Sequence, residues 1–219
     1  MINKLKKVYF RYKEIVWPTK PIEKAEPAEL SKSALRDLLL VSGCYLLLYF
    51  FFFIVKYSTY QKYNDRVLVD LNAKNAGVFL RYLNTYPGNV IYIFISLVIF
   101  AVSMVLVSYL FSFFLETEKR KFSIHSAITL RAVASAFSVF PIVLIVNSVF
   151  PVSETSGKFA TSLLVSSWII LAIASYVISI RCYIIDNENV YGQPRRRSGI
   201  VWTIPFYFVL NFMFGVIFN

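Results

Sequence analysis

Two ionisable side chains fall inside the long apolar runs of this 219-residue sequence, His125 and Arg131. An ionised group in hydrocarbon is costly, so each is a candidate for function by default. Arg131 follows His125 by six positions, about 9 Å along a helix axis. From there its guanidinium can snorkel to the headgroups, enter a structural pair, or line a path for an anion. His125 reads as an interface residue. It is the sole histidine, and neither Cys44 nor Cys182 has metal-ligand spacing or a CxxC pattern, so no metal site and no disulfide framework are expected. The cysteines read as buried apolar thiols. Serines are frequent, but no GxSxG motif supplies a nucleophile elbow. Asp186, Glu188 and His125 lack the spacing that a lipid-acting enzyme would need. All twelve Asp and Glu read as lying in loops, in the tail or at the ends of apolar segments. Proton- and cation-coupled transporters place carboxylates within the membrane, so this distribution argues against pumps, proton relays and intramembrane metalloproteases. No cofactor motif is present, and no enzyme is expected.

The elements that must position these residues are apolar helices. Hydrophobic residues make up 58% of the chain and charged residues 16%, against about 25% charged in a soluble domain; mean hydropathy is +0.61. A span needs about 20 residues to cross roughly 30 Å of hydrocarbon. Five segments qualify, at about 38–55, 89–115, 125–150, 159–180 and 198–218. Arg131 and Pro141 interrupt the third, and Pro205 lies inside the fifth. The expected fold class is an all-α membrane protein, a five-transmembrane-helix bundle with an N-terminal amphipathic surface helix. Small residues four apart, Ala132 and Ala136, Ala134 and Ser138, Ser162 and Ser166, Ser175 and Ser179, predict close helix packing in spans three and four.

Residues 1–36 form a separate basic region, ahead of a membrane domain at 37–219. In Met1–Val16, apolar residues such as Val8, Tyr9, Tyr12 and Ile15 recur at helical spacing, while Lys4, Lys6, Lys7, Arg11 and Lys13 fill the rest. This is the pattern of a basic helix lying on an anionic membrane surface. Trp17-Pro18 ends the helix, and 18–34 reads as an extended linker. The outer loop, 56–88, is expected to carry one short helix. Placing the N-terminus in the cytoplasm puts sixteen Lys and Arg inside and six outside, so the C-terminus is expected outside. The net charge of +11 therefore points to a membrane surface and not to nucleic acid.

Two stretches carry resemblances. Ile128–Pro141, ITLRAVASAFSVFP, resembles the third span of the Yip family (Ypt-interacting proteins and bacterial relatives), with Ser138 and Pro141 at matching places and Trp168 at the start of the matching fourth span. The eukaryotic DLYGP-type motif is missing, so a GTPase partner does not follow. Arg11–Lys20, RYKEIVWPTK, is similar to the hinge of SecE, the small translocon subunit, through Val16, Trp17, Pro18, Thr19 and Lys20. The Yip resemblance implies a non-enzymatic bacterial inner-membrane protein, a scaffold, assembly factor or accessory subunit of a larger membrane complex. Its expected partners are anionic lipids and other membrane subunits. The alternative is a transport component, either a permease subunit or a translocon accessory, with Arg131 lining an anionic path.

Overall fold

A computed structural model describes residues 2–22, 26–115, 121–149 and 158–218, without the side chains of 2–5, 115, 148–149, 158–161 and 214–218. The described residues contain helices and no strand. In chain order they are α1 (Ile2–Val16), α2 (Pro27–Val55), α3 (Tyr57–Ala73), α4 (Val78–Asn84), α5 (Asn89–Leu115), α6 (Phe122–Phe137), α7 (Phe140–Val149), α8 (Lys158–Tyr191) and α9 (Arg195–Phe218). Four helical stretches are long and apolar enough to cross a bilayer: Pro27–Val55, Asn89–Phe114, Phe122–Asn147 and Ser162–Tyr191. They fit an integral membrane protein. The stretch Phe122–Asn147 is the central post, with 67% of its apolar window buried against 17%, 22% and 17% for the others. α6 packs on α2, α5 and α8, while α9 packs on α5 and α8.

Several expectations need correction. The extended linker is shorter than 18–34, because α2 begins at Pro27. Proline is suited to the first helical turn, where its missing N–H is no loss. The 36/37 domain boundary thus falls inside α2. Residues 23–25 of the linker, Lys119 and Arg120 of the second loop, and Pro151 lie outside the described residues. The fourth loop is also shorter than expected: α8 runs on to Tyr191, carrying Asp186 on a helix. It stops at Gly192, whose φ of +62° favours glycine, and α9 restarts after Pro194. The loop at 56–88 folds as two helices, α3 and α4, turned at Asn75 (φ +50°). Asn64 ties this cap down by exchanging two hydrogen bonds with the Tyr86 backbone, 2.8 and 2.7 Å.

The third span breaks between α6 and α7, at Ser138–Val139, and not at Arg131. Pro141 causes the break. It has no N–H for the Phe137 carbonyl and its ring crowds that turn. The Ile142 amide shifts to the Val139 carbonyl, 2.9 Å, which releases the Ser138 carbonyl.

Candidate functional site

The polar residues of the bundle converge where the N-terminal arm meets it. Arg131, two and a half turns into α6, is 8% exposed, and Asp186 on α8 is 1% exposed. The Arg131 guanidinium donates to Asp186 Oδ1 at 2.6 Å and to the Lys20 carbonyl at 3.0 Å. Asp186 Oδ1 also accepts the Ile22 amide at 2.7 Å. Asn189, one turn further along α8, donates to the Ile22 carbonyl at 2.8 Å. Side chains three apart share a helix face, so Asp186 and Asn189 hold both backbone groups of Ile22, much as a neighbouring strand would. Cys182 Sγ lies 3.9 Å from Asp186 Oδ2, one turn before it.

A second ion pair fastens α1 itself. Arg11 donates to both oxygens of Asp37 on α2, at 2.7 and 2.6 Å, and to Ser33 at 3.3 Å. Asp37 is 1% exposed. The fork geometry matches a carboxylate in a way that lysine cannot. Tyr12 donates to the Ser138 carbonyl at 2.8 Å, taking the acceptor that Pro141 released. Ile15 inserts into the core with Val41 and Ile128. The Arg181 guanidinium sits 4.4 Å over the Trp17 ring, within cation–π range.

The arm is therefore one body with the bundle through its Arg11, Tyr12 and Ile15 side. Its remaining surface is open: Lys6, Lys7 and Lys13 are exposed beside Val8, Tyr9 and Phe10. The side chain of Lys4 lies outside the described residues. Trp17 stays half-exposed and Pro18 is buried. The SecE-like stretch is engaged by this chain's own Arg181 and Arg131. Arg131 is neither snorkelled nor facing an open path, because Asp186 and Lys20 occupy its guanidinium. Such a buried pair adds little net stability compared with apolar residues, since desolvation offsets the attraction, but losing one partner is costly.

No protein-family model, curated protein or solved structure matches the chain.

His125 does not reach the protein surface. It is fully buried, and its Nε2 lies 2.9 Å from Ser108 Oγ and 3.3 Å from Thr129 Oγ1. A serine beside a histidine is the geometry of nucleophile activation, yet both are 0% exposed and enclosed by core packing, so no substrate reaches them. Among the described residues no three of His, Cys, Asp or Glu group as a metal site. Of the small-residue pairs, Ala132, Ala136, Ala134, Ser138 and Ser179 are buried at helix contacts, whereas Ser162 and Ser166 are exposed.

Burial, and then the proximity of Cys44, pushes the Tyr12 phenol up to about 12 from its ordinary 10. The folded arm holds the proton more tightly than the free arm does. The contribution of Tyr12 to docking is therefore fully present below pH 10 and is lost as pH rises from 10 toward 12. Protease cleavage at Lys13, followed against pH, is expected to rise in that window. In Tyr12→Phe the step attributable to residue 12 is expected to disappear. An identical profile in both proteins would remove Tyr12 from the clamp.

Proposed function

We propose that this chain is a non-enzymatic, Yip-like protein of a bacterial inner membrane, serving as a scaffold or accessory subunit of a larger membrane complex. The observation that carries this reading is the commitment of the buried ionisable groups. Arg131, Asp186, Asp37 and Arg11 hold the arm to the helices, which is work of assembly and not of turnover. The clamp leaves Lys6, Lys7, Lys13, Val8, Tyr9 and Phe10 facing outward, a mixed basic and apolar surface suited to anionic headgroups and to another subunit.

α9 serves as the fifth span in this reading. Its 24 residues reach about 36 Å at 1.5 Å per residue, enough for the hydrocarbon core. Arg195, Arg196 and Arg197 then join the clamp on the cytoplasmic side and the C-terminus lies outside, as the positive-inside rule favours.

Affinity purification of the full-length chain from membranes in mild detergent tests the proposal. A membrane subunit is expected to co-purify with the wild type and to be depleted in the Lys6→Glu, Lys7→Glu, Lys13→Glu triple variant. A strictly monomeric protein with no companion removes the scaffold role.

A further inference from the structure

Between α1 and α2 the non-helical stretch 17–22 lies against the bundle. Pro18 and Ile22 are buried in it, while Thr19, Lys20 and Pro21 are exposed. Ile22 enters a pocket made by Leu30 and Ala34 of α2 and Ala127 of α6, with Val190 of α8 packed against it. Three hydrogen bonds hold the stretch, and all three go to main-chain groups. Arg131 donates to the Lys20 carbonyl at 3.0 Å, Asp186 accepts the Ile22 amide at 2.7 Å, and Asn189 donates to the Ile22 carbonyl at 2.8 Å. Every residue carries a carbonyl, and every residue but proline an N–H. The site therefore reads an extended backbone and one aliphatic side chain.

The site also stands without the stretch. Arg131 and Asp186 are paired at 2.6 Å across α6 and α8. Asn189 belongs to α8, and the walls of the pocket belong to α2, α6 and α8. A buried ion pair stabilises no more than apolar residues of the same volume do, so apolar packing alone would fix a linker at least as well. What the polar set adds is a contact that can be left. When the stretch withdraws, the guanidinium and the carboxylate still hold each other and no charge is stranded.

We propose that this is a binding site for an extended peptide segment of a partner subunit, and that 17–22 is a strap filling it from within the same chain. The matching segment presents an aliphatic side chain to the pocket and the same residue's N–H and C=O to Asp186 and Asn189. Its carbonyl two residues earlier meets Arg131. Proline is excluded at the anchor position, where the N–H is needed. α1 controls access, because its clamp through Arg11, Tyr12 and Ile15 keeps the strap at high effective concentration. The existence of a partner rests on the scaffold reading above; the peptide site does not, and a synthetic peptide tests it without any partner.

A fluorescent peptide of residues 16–24, VWPTKPIEK, is titrated into the full-length protein in nanodiscs. Ile22→Asp in the chain spoils the strap's own anchor, and the peptide is expected to bind this variant about ten-fold or more tightly than it binds the wild type. A peptide N-methylated at its isoleucine lacks the N–H for Asp186, and its binding is expected to weaken about ten-fold. Should Ile22→Asp not fold, the wild type decides: peptide at roughly millimolar concentration is expected to speed hydrogen exchange of the chain's own Ile22 amide several-fold, and the N-methyl form is not. No binding to a folded Ile22→Asp, equal binding to variant and wild type, or equal binding of the two peptides would overturn the site, as would an Ile22 amide that the peptide leaves unchanged. A wild-type dimer that Ile22→Asp dissolves would give the site to a second copy's strap and overturn the partner segment.

Discussion

Arg131→Ala is expected to destabilise the protein by about 3–5 kcal/mol, because it strands a carboxylate that has no water to turn to. Asp186 is 1% exposed, and its Oδ1 receives the guanidinium at 2.6 Å. Removing the cation leaves that oxygen with the Ile22 amide, which does not neutralise a charge. Denaturant or thermal unfolding of the full-length protein in bicelles measures the loss. The Arg131→Ala, Asp186→Ala double variant supplies the sign test. It is expected to be more stable than Arg131→Ala alone, since the stranded charge is gone, while the Lys20 carbonyl and the Ile22 amide stay without the partners the pair gave them. A double variant less stable than the single would mean that Asp186 is held by something other than Arg131.

The second large effect is expected at the other end of the arm. Arg11→Ala leaves Asp37, buried at 1% exposure, without its two charge-assisted hydrogen bonds. The Arg11 side chain is 33% exposed, so water enters more easily than at Arg131. A loss of about 2 kcal/mol is expected after that solvation. Arg11→Lys is expected to recover only part of it, because an ammonium cannot form the fork. Full recovery by lysine would show that charge alone, without geometry, holds α1 to α2.

These two pairs explain what could and could not be read from the residues in order. α5 starts at Asn89, where its apolar run starts. α1 ends at Val16, where Trp17-Pro18 excludes further helix. Span three needed more than hydropathy. Its break follows from the loss of one amide at Pro141, and the displaced acceptor, the Ser138 carbonyl, is taken by Tyr12, 126 positions away. Nothing local encodes that distance.

Asp186 was hidden for a different reason. Hydropathy marks where lipid contact ends, and Arg181 ends it, but a helix continues without lipid for as long as its backbone bonds and packing allow. A signal was nevertheless present. Ser175, Ser179, Cys182, Asp186 and Asn189 follow one another at steps of four, three, four and three, so the small-residue face of α8 runs directly into the clamp. Asp37 lies on a comparable stripe of α2 with Leu30, Ala34, Val41 and Tyr45. A carboxylate that continues a buried stripe is a pairing residue, and reading faces past the apolar boundary would have put Asp186 opposite Arg131. His125 gives the same lesson. As the first polar residue of an apolar run it looked interfacial, but Ser108 and Thr129 supply enough hydrogen bonding to bury it.

The union of arm and bundle is tested most directly at one amide. The Ile22 N–H is held by Asp186 Oδ1 at 2.7 Å in the non-helical stretch 17–22. Residue-resolved hydrogen–deuterium exchange on the full-length protein in nanodiscs is expected to show this amide protected about a hundred-fold or more relative to an unstructured linker, with that protection lost in Asp186→Ala, which removes the acceptor. Exchange of Ile22 at the rate of a free linker in the wild type would contradict a docked arm.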